Sequence, residues 1–246
     1  KNLSVYLSGN GPLVEVLREA LKRSVRAKKQ LNRETETAIN ALIQSSYAFK
    51  KDNASHHHPT PENILIFDEA QRVWNQEKMT RKHNDPLMAV SEPHLLYSIM
   101  DRHQDWAVVI CLVGGGQEIN TGEAGISEWI KALNEQFPHW NVYISPKLTD
   151  AEYAEGKVNE LLKDNANVTY SEDLHLGVSL RSYRAEKLSA FVHALLSFDE
   201  SAAKLYSEIK DKYPIVLTRD MAKAKQWLHS KVRGTERTGV LVTKES

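Results

Sequence analysis

The segment Asn63–Trp74, NILIFDEAQRVW, places two carboxylates, Asp68 and Glu69, directly after four unbroken apolar residues, Ile64 to Phe67. A strand end would fix the first acid, which can then hold Mg²⁺ directly or through water. The next acid can orient or deprotonate an attacking water. The pair matches a Walker B motif; the plain alternative is a strand that ends in an exposed acidic turn. A second signal is Gly114-Gly115-Gly116-Gln117, which follows the apolar run Trp106–Val113. Glycines there, Gly116 among them, let the backbone turn sharply and approach a ligand closely. Gln117 can hydrogen-bond a γ-phosphate or the attacking water, or simply face solvent. Glu118 and Glu123 read as caps for a helix that starts near Ile126. The third signal is Arg181 and Arg184, just after GVSL. A guanidinium can reach across a cleft to a γ-phosphate; the alternative is an ordinary surface arginine.

A nucleotide site also needs a phosphate cradle, and none is visible. The Walker A pattern G-x-x-x-x-G-K-[ST] supplies backbone amides to phosphates. The one Gly-Lys pair, Gly156-Lys157, has Ala151 five residues before Gly156 and Val158 after Lys157, so it fails on both sides. Ser8–Pro12, SGNGP, contains no lysine.

The elements that would position these groups alternate between two kinds. Short apolar runs predict strands at Leu3–Ser8, Ile64–Phe67, Trp106–Val113, Trp140–Ser145, Leu174–Leu180, Pro214–Thr218 and Gly239–Thr243. Between them, helical spacing predicts helices over Leu13–Lys29, Glu34–Phe49, Glu92–His103, Ile126–Gln136, Ala185–Ser197, Glu200–Lys212 and a stretch ending at Lys231. Alternation of this kind predicts an α/β fold, a mostly parallel sheet with helices on both faces. Ligands of such sheets collect outside the carboxyl ends of the strands. All three polar signals sit at predicted strand ends. The strands Ile64–Phe67 and Trp106–Val113 are therefore expected to be parallel and close together. A domain boundary is expected near Ser171–His175.

The bulk numbers are those of an ordinary globular chain. It has 246 residues, 41% hydrophobic and 26% charged, with 32 Lys+Arg balancing 32 Asp+Glu. Net charge therefore argues neither for nor against a nucleic-acid partner. The single cysteine, Cys111, rules out an internal disulfide and fits a reducing, cytoplasmic setting, with Cys111 in the core. No apolar run approaches the roughly 18 residues of a transmembrane helix. Arg18, Lys22, Arg23, Arg26, Lys28, Lys29 and Arg33 form a basic run that reads as a solvated helix face, or as a track for a phosphate backbone. His56-His57-His58 reads as loop, and Trp74, Trp106, Trp129 and Trp140 as packing groups. The chain opens on Lys1 and reaches a predicted strand at once, so it is expected to begin inside a domain.

Four stretches carry a more specific likeness: YLSGNGPLVEVLREAL, ILIFDEAQRVW, SIMDRHQDWAVVICLVGGGQEINTGEAGISEW and SLRSYRAEKLSAFVHALL. Together they resemble the Schlafen group 3-like DNA/RNA helicase domain, a bacterial family of P-loop proteins related to superfamily 1 helicases. The likeness spans nearly the whole chain, and GGGQEINTGEAG is its most distinctive part. It implies a RecA-like P-loop NTPase core, with residues 1–174 as a first RecA-like domain and 175–246 as the start of a second. It implies that a Walker A loop precedes the equivalent of Leu3 and that further motifs follow the end of the chain. By the same resemblance Asp68 and Glu69 are the motif II pair, and Gln117 is the motif III glutamine. Tyr183-Arg184 is similar to the YR of motif IV, with Arg181 as a second candidate. SGNGPLV corresponds to motif Ia, where Ser8 and Asn10 could meet a nucleic-acid phosphate or merely form a strand-to-helix turn with Asn10 at positive φ.

The activity expected of the intact protein is Mg²⁺-dependent ATP hydrolysis coupled to action on DNA or RNA. The 246-residue chain by itself is expected not to turn ATP over at an enzyme-like rate. The rival expectation is a binding module switched by nucleotide, without translocation. A third is an inert portion of the fold.

Overall fold

A computed structural model of the protein describes residues 3–83, 85–114, 125–149, 158–176 and 186–239. The chain forms two compact units, Lys1–His175 and Leu176–Ser246.

The first unit is built on a four-stranded sheet. Its strands are β1 (Ser4–Ser8), β2 (Ile43–Ser45), β3 (Ile64–Asp68) and β4 (Val108–Cys111), in the order β2-β1-β3-β4. Every pairing is parallel. Parallel neighbours need crossovers, and helices supply them: α1 (Gly11–Ala27) and α2 (Arg33–Leu42) before β2, α3 (Ser46–Asn53) before β3, and α4 (Gln76–Lys82) and α5 (Glu92–Met100) before β4. The chain is thus α/β with a parallel sheet, as the alternating runs predict. β3 and β4 are adjacent, with Phe67 opposite Cys111.

Side-chain alternation gives the sheet two unlike faces. Val5, Leu7, Leu65 and Phe67 point to one face and join the main core. There they meet Phe49 of α3, Leu96, Tyr97 and Met100 of α5, and Trp129 and Leu133 of α6 (Gly125–Gln136). Cys111 packs against this core, and burial pushes its thiol pKa well up. On the other face Val108 and Ile110 remain 40% and 41% exposed. Among the described residues, no helix covers that face over β4. A smaller core, with Ile126, Ile130, Ile144, Val158 and Leu162, lies by a second sheet. That sheet pairs β5 (Val142–Ile144) and β6 (Val168–Tyr170) in parallel across α7 (Val158–Leu162). Among the described residues, no helix is long and apolar enough to cross a membrane.

Several local expectations need correction. The predicted helix Glu34–Phe49 is interrupted: α2 stops at Leu42, Ile43–Ser45 is a strand, and α3 begins at Ser46. Pairing with β1 overrides helical spacing here. The Arg18 guanidinium donates to the carbonyls of Ile43 (2.7 Å) and Asn40 (3.1 Å), and Ser45 caps α3 by accepting the Ala48 N–H at 3.2 Å. β6 lies in a stretch where no strand is predicted. Trp106 is 47% exposed, so it is not a core packing group. Of the strand predicted at Leu174–Leu180, Leu174 instead closes a 3₁₀ turn, Glu172–Leu174, and residues 177–180 lie outside the described residues.

In the second unit α8 (Glu186–Leu196) packs on α9 (Ser201–Ile209) through Phe191 and Tyr206, whose ring centroids lie 5.5 Å apart. α10 (Met221–Lys231) begins at Asp220, whose carboxylate accepts the Ala222 and Lys223 N–H groups. Pro214–Thr218 is not a strand, and Leu217 in it is exposed. An apolar run becomes a strand only where a partner satisfies its backbone, and among the described residues none does so here. The strand predicted at Gly239–Thr243 falls, after Gly239, outside the described residues.

Candidate functional site

The carboxyl ends of β1 and β3 lie side by side, with Ser8 opposite Asp68. Because Tyr6 is opposite Ile66 and alternation repeats every second residue, Tyr6 and Asp68 share a face. The Tyr6 phenol hydrogen-bonds the Asp68 carboxylate. Burial, that hydrogen bond, and the charges of Asp68 and Glu69 push the Tyr6 pKa well up. The phenol thus stays protonated and remains a donor to Asp68.

Glu69 leaves the strand with a left-handed backbone, φ 55° and ψ 48°. For a residue with a side chain this costs about 1–3 kcal/mol and persists only where the surroundings hold it. They do so here. Ala70 N–H donates to the Leu112 carbonyl at 2.9 Å, and Leu112 N–H donates to the Phe67 carbonyl at 2.9 Å. The Trp129 indole N–H donates to the Ala70 carbonyl at 2.8 Å, while its ring meets Phe67 edge-on. The turn Ala70–Arg72 that follows is 3₁₀.

Gln71 completes the arrangement. It is fully buried. Its Nε2 donates to Glu69 Oε2 at 2.8 Å, and its Oε1 accepts the Gly114 N–H at 3.0 Å. A Cβ at Gly114 would come within 3.3 Å of Gln71 Nε2, so glycine lets the end of β4 come this close. The amide therefore joins the acidic pair to the first residue of the glycine-rich segment.

Downstream, the chain is anchored by a buried ion pair. Lys50 Nζ lies 2.5 Å from Glu92 Oε1, and the two side chains are 2% and 5% exposed. Glu92 Oε2 also accepts the Trp74 N–H at 3.1 Å. The His83 ring stacks on Tyr47 at 5.0 Å and on Trp74 at 5.8 Å. Its Nε2 is buried and, among the described residues, has no hydrogen-bond partner. Desolvation first, then the Lys50 charge, lowers the His83 pKa.

At the end of β1 the polar groups serve the helix. Asn10 has φ −92°, not a positive φ, and caps α1 by accepting the Leu13 N–H at 3.3 Å. Ser8 is fully buried, and its Oγ accepts the Asn10 N–H at 3.1 Å. Part of the basic run is likewise engaged within the fold. Lys22 pairs with Glu36 and Arg23 with Glu19, while Arg18 holds β2.

Asp68, Glu69, Ser8 and Asn10 thus lie at one edge of the sheet. Gly116, Gln117, Glu118, Glu123, Arg181, Tyr183 and Arg184 lie outside the described residues. Tyr6, Gln71 and Trp129 are the site residues that sequence reasoning misses. Only Tyr6 leaves a usable signal, its parity with Asp68 once the register is known. The set of one or two carboxylates, with a phenol donor behind the first, suits Mg²⁺, which prefers oxygen ligands and keeps places for water and phosphate.

A family model described as Schlafen group 3, DNA/RNA helicase domain matches residues 1–246. No curated protein and no solved structure matches the chain.

Proposed function

The chain belongs to the Schlafen group 3 DNA/RNA helicase domain family, and from that premise we propose a helicase-type, nucleic-acid-dependent ATPase with a RecA-like core. One observation carries the proposal. Parallel, adjacent strands end together with Asp68 and Glu69 at their carboxyl edge, where ligands of such sheets bind. In this reading residues 1–174 are a first RecA-like domain and 175–246 the start of a second.

Asp68 would hold Mg²⁺, whose contribution when bound is to neutralise phosphate charge. Tyr6 fixes that carboxylate by donating to it. Glu69 orients and deprotonates the attacking water. The left-handed turn projects its side chain off the strand end, and Gln71 occupies one carboxylate oxygen, Oε2. Gly116 admits the nucleotide to the backbone, and Gln117 contacts the γ-phosphate. Arg184, or Arg181 as second candidate, stabilises charge on the transferring group. Asn10, exposed beside the buried Ser8, takes the phosphate contact of a bound DNA or RNA strand.

A second reading has one observation in its favour. Arg18, Lys22 and Arg23 are engaged within the fold, which weakens the basic run as a nucleic-acid track. Under it, nucleotide switches a binding surface without translocation. ATP hydrolysis by the full-length protein with Mg²⁺, with and without single-stranded DNA or RNA, decides between them. Stimulation by nucleic acid is the expected result. Hydrolysis or nucleotide binding indifferent to both polymers would favour the switch.

A further inference from the structure

Three aromatic rings beyond the ends of β2 and β3 form a column, and its outer ring is open. Tyr47 lies two residues past the end of β2, in the first turn of α3. His83 stacks on it with ring centroids 5.0 Å apart and planes 19° apart, and Trp74 stacks on His83 at 5.8 Å and 19°. Tyr47 itself remains 47% exposed. We propose that the open face of Tyr47 is a binding position for one nucleobase of a single-stranded DNA or RNA. The inference rests on the reading of the chain as a nucleic-acid-dependent ATPase, and adds to it a contact with a base.

The backing of the ring is fixed from several sides. The Trp74 N–H donates to Glu92 Oε2 at 3.1 Å, and the Trp74 carbonyl accepts the Glu92 N–H at 2.9 Å. Glu92 is in turn held by the buried Lys50. Lys78 Nζ sits 4.8 Å from the centroid of the Trp74 ring, a cation–π contact. His83 closes α4, its N–H donating to the Met79 carbonyl at 2.9 Å. The column is therefore ordered before a ligand arrives, so little side-chain freedom is lost on binding. Trp106, Tyr143, Tyr170 and Phe198 are exposed as well, but among the described residues no ring is stacked behind them.

A ring stacked on one face and open on the other offers a flat apolar surface. Every nucleobase has a matching face, and stacking on an aromatic side chain tolerates any sequence. A base must be unpaired to lie on it, which selects single strands. Cations for the flanking phosphates are close in the chain. Lys51, four residues on in α3, shares the helix face of Tyr47, and Lys82 directly precedes His83. Both are exposed and have no ion-pair partner among the described residues. The strand ends give the direction of the bound polymer. Ser45 of β2 is opposite Ser8 of β1, and Ser8 is opposite Asp68 of β3. Neighbouring strands lie about 4.8 Å apart, so Asn10 beyond β1 and Tyr47 beyond β2 can meet one strand of nucleic acid that crosses this edge.

The test uses the full-length protein and single-stranded DNA and RNA oligonucleotides of one sequence. Tyr47→Leu keeps an apolar side chain and removes the flat ring; Tyr47→Phe keeps the ring. Tyr47→Leu is expected to weaken binding of at least one polymer about 10-fold to 100-fold, the loss of one stacked base. Tyr47→Phe should stay near wild type. The slope of log Kd against log salt should be the same in all three proteins, because no phosphate contact is removed. Concentrations are referred to the folded fraction from thermal unfolding, so a ring that only packs α3 would leave Kd unchanged.

Wild-type affinity in Tyr47→Leu overturns the stacking position and leaves the proposed function standing. Equal losses in Tyr47→Phe and Tyr47→Leu overturn it too, since the hydroxyl and not the ring would then make the contact. Weaker binding of a fluorescent ATP analogue by Tyr47→Leu, with oligonucleotide binding intact, assigns the base to the nucleotide and overturns the strand contact. A wild-type protein that binds neither polymer removes the proposed function, and this inference with it. Should Tyr47→Leu fail to fold, the wild type is irradiated with oligonucleotides carrying 5-iodouracil. A crosslink at Tyr47 supports the position, and crosslinks confined to other residues overturn it.

Discussion

The ends of β1 and β3 occupy equivalent places in one sheet, yet they are held in opposite ways. Past β1 the chain enters a helix at once, and its polar groups close over two or three residues: Ser8 onto Asn10, Asn10 onto Leu13. Past β3 the chain turns left-handed at Glu69, and its fixings come from afar. Gly114 lies 43 positions from Gln71, and Trp129 lies 59 from Ala70. A locally closed strand end is a cap, whose effect is stability. A strand end held from distant segments keeps its shape only while those segments keep theirs.

The comparison breaks first at the buried ion pair that anchors the chain beyond β3. Lys50→Met leaves Glu92 charged and unpaired in the core. It should cost about 3–5 kcal/mol, read as a lowered urea midpoint, and a change of less than 1 kcal/mol by that midpoint, small on this scale, would show the anchor to be idle. Next, Glu69→Gln in the full-length protein should lower kcat by about 10²-fold or more, close to 2.7 kcal/mol of barrier, with nucleotide affinity nearly kept. Unchanged kcat would reduce the β3 end to the same kind of cap as the β1 end.

Asn10→Ala sharpens the contrast from the other side. It should cost about 1 kcal/mol of stability, as other helix caps do, and leave nucleotide affinity unchanged. A fall in affinity for single-stranded nucleic acid in the folded variant would add the proposed phosphate contact to its capping role.

The smallest effect is a pH dependence on the β3 side. His83 is stacked between Tyr47 and Trp74 and faces Lys50, Glu92 and Asp85, with its pKa lowered chiefly by burial. The unfolded chain therefore takes up this proton first, near the ordinary imidazole value of about 6.5. Stability from neutral His83 is present above that pH. It falls as pH drops from there through the lower folded value, and is then constant. Urea midpoints measured from about pH 8 down to pH 5 should show this decline in the wild type and less of it in His83→Phe, which keeps the stack. Equal profiles would remove His83 from the account.

Much of this was legible in the residues alone. Ile64–Phe67 is a run too short and too apolar for anything but a buried strand, and Asp68 marks where it must surface. The failures share one cause. Ile43–Ser45 carries helical spacing, but its backbone is used by β1 and its carbonyl by Arg18. Pro214–Thr218 has the composition of a strand and, among the described residues, no partner. In both cases long-range pairing, which no local window contains, sets the outcome. Gln71 escaped notice for a similar reason. A glutamine two residues beyond an acidic pair looks like a surface residue until the ends of β3 and β4 are brought together around it.

The sequence by itself determined the kind of sheet, the strand ends at which acids and glycines appear, and the family to which the chain belongs. Hydrophobic periodicity and motif spacing are local properties, readable one segment at a time. The tertiary structure decided which of those ends meet, that Tyr6 stands behind Asp68, and that Gln71 spans from Glu69 to Gly114. Those relations depend on strand order and register, which are fixed by burying Val5, Leu7, Leu65 and Phe67 together in one core. Hydrogen bonds that cross 43 or 59 positions exist only once that core has formed.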